Sequence, residues 1–140
     1  MIRAAVLSDR VAIMRLGRAF LVASGLEIPF DAPYAERTIK DYIEDPEKLA
    51  LVLDLGRVVG VLLAHKGAHP FGPIKVAQEL LWWVDPDHRG RATMKMLDSY
   101  EAWASDCALV GLASLSDSDL SRLYERRGFI QSETHFMKAS

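Results

Sequence analysis

The chain has a single cysteine, Cys107, so an internal disulfide and any multi-cysteine zinc site are excluded from the start. It also has almost no net charge: the formal value is −2, which gives no global attraction to phosphate backbones and argues against nucleic acid as a partner. No apolar run approaches the roughly 20 residues that a membrane span needs. The opening stretch, MIRAAVLSDRVAIM, is interrupted by Arg3, Asp9 and Arg10, so it lacks the apolar core of a signal peptide, and the cytoplasm is the expected location. Internal repeats, low-complexity segments, a G-x-x-x-x-G-K-[ST] loop and a G-x-G-x-x-G after a first strand are all missing, which removes the common nucleotide-binding fingerprints. Cys107 itself opens the apolar run CALVGLASL with no histidine nearby in sequence, the setting of a core-filling thiol.

What is present is a foldable pattern. Half of the 140 residues are hydrophobic and about a quarter charged, enough for one domain spanning 1–140 with a real core. Ile2 to Val6 reads as a short strand, and Ser8 or Asp9 as the N-cap of a helix in which Ile13, Met14, Gly17, Phe20 and Leu21 share a face and Gly25 is the stop. Pro33 to Glu44 reads as a second amphipathic helix. LALVLDLG and RVVGVLLAH flank a Gly56-Arg57 turn as a hairpin, and KGAHPFGP is a loop leading into the strand VAQELLWWV. A helix follows from Gly90 to near Ser105, then the strand CALVGLASL, a helix over SDSDLSRLYERRG, and a last strand, FIQSETHFMK. The order predicts a mixed α/β sheet with right-handed crossovers.

Positive charge is concentrated at one junction. In WWVDPDHRGRATMKML a strand stops near Pro86 and a helix begins near Gly90, leaving backbone N–H groups without internal acceptors. The helix dipole adds partial positive charge there, and Arg89, Arg91 and Lys95 add formal charge, so the junction suits a phosphate or pyrophosphate. A basic surface turn is the simpler alternative.

The spacing VDPDHRGRATMKML resembles the acyl-CoA-binding segment of the GNAT-type N-acetyltransferases, in which a strand ending V-x-P leads into Q/R-x-x-G-x-G/A. Arg89 matches the Q/R position, while Ala92 and Met94 stand where the family usually has small residues. LYERRGF, Leu123 to Phe129, resembles the family's L-Y-E-x-x-G-F segment. IRAAVLSDRVAIMRL resembles its first strand and helix, so the likeness covers essentially the whole chain. It implies a single-domain acyl-CoA N-acyltransferase fold: a central, mostly antiparallel mixed sheet flanked by about four helices, with a V-like splay between strands 4 and 5.

The implied activity is transfer of an acetyl group from acetyl-CoA to a primary amine of a small molecule or peptide, by direct attack and with no metal. In that reading Trp82, Trp83 and Val84 lie along the pantetheine. Arg89, Gly90, Arg91, Ala92, Thr93, Met94 and Lys95 face the pyrophosphate, and Asp117 falls where many relatives have a cofactor-binding asparagine, or else caps a helix. Tyr124 takes the family's place beside the thiol and is the candidate general acid. Glu79, the only acid in VAQELLWWV, is the candidate base if burial raises its pKa, or a solvated strand acid if not. His135, His65, His69 and ordered water are the rivals for the proton. Only about a dozen residues follow Gly128, room for one strand, so the site is either more open than in many relatives or completed by a second subunit, a homodimer. The other reading of the same fold is a CoA-binding or interaction module that does not catalyse.

Overall fold

The computed structural model describes residues 1–115 and 120–140. Its centre is a five-stranded sheet in the order β1-β2-β3-β4-β5, built from Ile2–Ala4 (β1), Lys48–Asp54 (β2), Val58–Ala68 (β3), Lys75–Val84 (β4) and Leu109–Gly111 (β5). The first four strands pair antiparallel, and β5 joins β4 in parallel. A parallel neighbour requires a crossover connection, which the helix α3, Arg91–Trp103, supplies. The helices Arg10–Ser24 (α1), Ala32–Glu44 (α2) and Ser121–Arg126 (α4) complete the described α elements.

Two apolar cores form because the strands alternate. Ile13 and Leu16 of α1 and Ile39 and Tyr42 of α2 pack with Val52, Val61 and Leu63 on one face of the sheet. Met96, Leu97 and Tyr100 of α3 pack with Leu51, Leu53, Leu62 and Val84 on the other. Each helix thus buries the stripe that its 3.6-residue period lines up, and a fully buried Leu or Ile contributes about 2 kcal/mol. Gly25 closes α1 at φ +72°, the left-handed conformation that ends a helix without a Cβ clash.

One irregularity decides the shape of the site. Between β3 and β4 the partner of Leu63 is Leu81, but the partner of Ala64 is Glu79, so Leu80 is an extra residue, a β-bulge. A bulge inverts the two-residue alternation beyond it. Ala77 packs in the α3-side core, and after the bulge Trp82 and Val84 belong to that same side, whereas Leu81 and Trp83 pack on the α1/α2 side. Glu79, two residues after Ala77, therefore faces α3 and α4.

Several expected boundaries shift. Asp9 does not cap α1 with its side chain; its carboxylate accepts from Val6 N–H at 2.8 Å and pairs with Arg3 at 2.8 Å, and the Arg3 guanidinium holds its pKa below the usual range. The strand expected over CALVGLASL is reduced to Leu109–Gly111, and FIQSETHFMK forms no strand. Phe136 and Met137 are exposed rather than packed, so that segment's alternation finds no surface to bury against.

Candidate active site

β4 and β5 pair over three residue pairs only, ending at Gln78 and Gly111. At the next step a side chain takes over from the backbone ladder: the Glu79 carboxylate, 8 % exposed, accepts a hydrogen bond from the Ala113 N–H. The strands are wedged apart there, and two tyrosines hold the far strand from the other side. Tyr100 Oη donates to the Gly111 carbonyl at 2.7 Å, and Tyr124 Oη donates to the Ala113 carbonyl at 3.2 Å. Tyr100 comes from α3 and Tyr124 from α4, so α3 holds the end of β5 and α4 holds the segment that follows it.

A cavity of about 640 Å³ occupies this wedge, and its lining includes Glu79, Trp82, Trp83, Ala113, Leu123 and Tyr124. Trp82 packs with the α3-side core and Trp83 with the α1/α2-side core, so the cavity reaches both faces of the sheet. At one end it meets Arg89, Gly90, Thr93 and Met94 at the start of α3; at the other it meets Phe20 and Ala23 of α1.

The electrostatics follow from burial. Desolvation raises the Glu79 pKa from 4.5 to about 7, against the lowering effect of the Ala113 N–H. Tyr124 is pushed up as well, first by burial and then by the negative charge of Glu79, and Tyr100 is raised for the same two reasons in the same order. Both phenols therefore keep their protons near neutral pH. Beside the wedge, then, stand a carboxyl group that changes charge near pH 7 and phenols that remain donors.

The start of α3 is preorganised by backbone. Gly90 has φ +142°, a conformation that side-chain-bearing residues rarely adopt, and a Cβ there would meet nothing within 4 Å, so space is not what selects glycine. Its N–H donates to Thr93 Oγ1 at 3.2 Å, and Thr93 N–H donates back to the Gly90 carbonyl at 3.0 Å. Arg89 turns inward along the strand: Nε donates to the Val84 carbonyl at 2.7 Å, and the guanidinium lies 4.6 Å from the centre of the Trp83 ring. Its visible work is to tie the loop to the end of β4.

Of the residues singled out in the sequence, Glu79, Trp82, Trp83, Val84, Arg89, Gly90, Thr93, Met94 and Tyr124 line one cavity. Ala92 packs on the α3-side core, while Arg91 and Lys95 are exposed on the first turns of α3; none of these three lines the cavity. Asp117 lies outside the described residues. The rival histidines are elsewhere: His135 is 79 % exposed beside Glu133, His65 Nδ1 meets Tyr42 Oη at 3.1 Å, and His69 Nδ1 accepts from Phe71 N–H. Tyr100, Ala113, Phe20 and Ala23 were not marked as site residues by sequence. Tyr100 alone left a trace, since a tyrosine on a helix's buried face must find a partner for its hydroxyl.

Residues 16–129 match the family described as Acetyltransferase (GNAT) family. The chain belongs to the GNAT acetyltransferases. Solved structures of the same fold include a predicted acetyltransferase from Clostridium acetobutylicum with acetyl-CoA (14 % identity, TM-score 0.79, covering 100 % of this chain and 95 % of that one). The ribosomal-protein-alanine N-acetyltransferase of Brucella melitensis biovar Abortus 2308 is similar as well (23 % identity, TM-score 0.68, 100 % and 99 % covered). So is a transcriptional regulator from Bacillus halodurans (18 % identity, TM-score 0.75, 100 % and 99 % covered). No curated protein matches this GNAT domain in sequence. Among its described residues, no helix is long and apolar enough to cross a membrane.

Proposed function

We propose that this GNAT domain transfers an acetyl group from acetyl-CoA to a primary amine, with Glu79 receiving the amine's proton and Tyr124 donating to the departing sulfur. The observation that carries the reading is the placement of these two groups in one wedge, bridged by Ala113: the Glu79 carboxylate on its N–H, the Tyr124 hydroxyl on its carbonyl. An ammonium ion must lose a proton before it can attack, and a carboxylate titrating at about 7 takes that proton near neutral pH. Tyr124, held protonated by burial beside Glu79, has a proton to give and regains one from solvent.

The thioester supplies the electrophilic carbonyl and the thiolate leaving group. The residues present fit such a co-substrate on structural grounds. Among the described residues the edge of β4 beyond Gln78 has no strand partner, so the backbone of Trp82, Trp83 and Val84 is available to an extended amide chain. The cavity leads from that edge to the start of α3, where the first backbone N–H groups and the helix dipole favour the pyrophosphate. Arg91 and Lys95 contribute charge from outside the cavity, and Ala92 contributes its N–H.

The test is release of free thiol from acetyl-CoA in the presence of amine pools, with calorimetry of coenzyme binding in parallel. Amine-dependent thiol release supports the transferase. Coenzyme binding with no thiol release over small amines, peptides and aminoglycosides would instead assign a CoA-binding module.

A further inference from the structure

The two ends of the wedge differ in chemistry, and the difference bears on the acceptor. The α3 end carries Arg89 and the backbone around Gly90; the α1 end is bounded by Phe20 and Ala23, and Trp83 lines the same cavity. Among the described lining residues Glu79 is the one carboxylate. Outside the cavity, α1 and the loop after it form a second groove of about 740 Å³, walled by apolar residues that include Val22, 83 % exposed, and Ile28, 56 % exposed. Asp85 is paired with Arg15 at 3.0 Å, Glu36 with Arg10 at 2.9 Å, and the Arg18 guanidinium lies 4.3 Å from the centre of the Phe30 ring. Glu27 shares its groove with Arg18.

We propose that the acceptor is a primary amine with a single positive charge on an apolar body, its nitrogen at Glu79 and its body against Phe20, Ala23 and Trp83. The inference rests on the acetyl-transfer reading above and adds the substrate class. A monocation has its one charge answered by Glu79, and its apolar part leaves water for an apolar wall. A polycation has to bring further ammonium groups to a cavity in which, among the described lining residues, Glu79 is the one carboxylate, and an unpaired charge in such a place is strongly disfavoured. The same chemistry occurs in a free arylalkylamine and in the α-amine of a peptide that begins with apolar residues.

The experiment measures thiol release from acetyl-CoA with four acceptors: 2-phenylethylamine, a peptide with a free α-amine and apolar first residues, spermidine, and a lysine-rich peptide blocked at its N-terminus. kcat/KM for at least one of the first two is expected to exceed that of both polycations by about tenfold or more, and the better of the two identifies the source. Phe20→Ala is expected to raise the KM of that amine about tenfold while leaving the KM of acetyl-CoA unchanged, a split that general destabilisation would not produce. Preference for spermidine or the lysine-rich peptide, or an amine KM indifferent to Phe20→Ala, overturns the acceptor class and leaves acetyl transfer standing. No thiol release with any acceptor overturns acetyl transfer and the acceptor class with it.

Discussion

Replacing Glu79 by glutamine tests the electrostatics of the wedge without any knowledge of the substrate. In the unfolded chain this carboxyl ionises near 4.5, and in the fold near 7. At about 1.4 kcal/mol per pH unit, that gap is worth about 3 kcal/mol. The sign is fixed by which state holds the proton. Well below pH 4.5 Glu79 is protonated in both states and costs nothing; between about 4.5 and 7 the unfolded chain ionises while the fold keeps the proton, so the penalty grows, and above about 7, where the fold carries the buried charge, it is complete. Glutamine keeps the shape and an oxygen for the Ala113 N–H but never ionises. The Glu79→Gln protein is therefore expected to be more stable than the parent at pH 8 by about 3 kcal/mol, roughly 10 °C in Tm for a domain of this size, with the advantage reduced to about 1 kcal/mol at pH 5 and vanishing below about pH 4. Thermal or urea unfolding of both proteins across that range measures it, and groups such as Asp9 and Asp106 that titrate in both cancel in the difference. A Glu79→Gln difference that stays constant from pH 5 to pH 8 would refute the buried, raised-pKa carboxylate. The same substitution is expected to remove the rise in kcat/KM with pH centred near 7.

Tyr124→Phe is expected to lower kcat about a hundredfold with coenzyme affinity within about threefold of the parent, by stopped-flow thiol release and calorimetry; an unchanged kcat removes Tyr124 from the chemistry. Gly90→Ala forces a Cβ onto a residue at φ +142°, a strain of about 1–3 kcal/mol that the loop relieves by moving its N–H groups, so the Kd for acetyl-CoA should rise about tenfold or more. An unaltered Kd would show that the backbone at Gly90 is not part of the phosphate site. Tyr100→Phe leaves the Gly111 carbonyl without its donor and should cost about 1–3 kcal/mol in urea unfolding; a neutral result would mean that the splay of β5 does not depend on that bond.

Much of the architecture was legible because it is periodic. The helical spacing of Ile13, Gly17 and Phe20, or of Leu97 and Tyr100, requires no partner to be recognised, although the fully buried Leu16 and Met96 lay outside the faces read from it, and breakers such as Gly56 and the Pro46 after Asp45 mark their own ends. Glu79 and Tyr124 were legible as candidates because a lone acid in an apolar strand and a tyrosine in L-Y-E-x-x-G-F stand out chemically. The last segment, FIQSETHFMK, misled for the converse reason: alternation states a preference for a half-buried surface, and here no strand edge meets it.

By itself the sequence determined which residues carry apolar stripes, where positive charge and glycine coincide, and which side chains have chemistry to offer, since these are properties of neighbours along the chain. The side of the sheet that Glu79 faces together with Trp82 was decided only in the tertiary structure, through one extra residue at Leu80 that inverts the alternation beyond it. So was the value at which Glu79 titrates, which depends on how much water Tyr100, Tyr124 and the splayed β5 exclude from around it. Desolvation is a property of everything that surrounds a charge in space, and residues from β4, β5, α3 and α4 meet at that carboxylate only after the chain has folded.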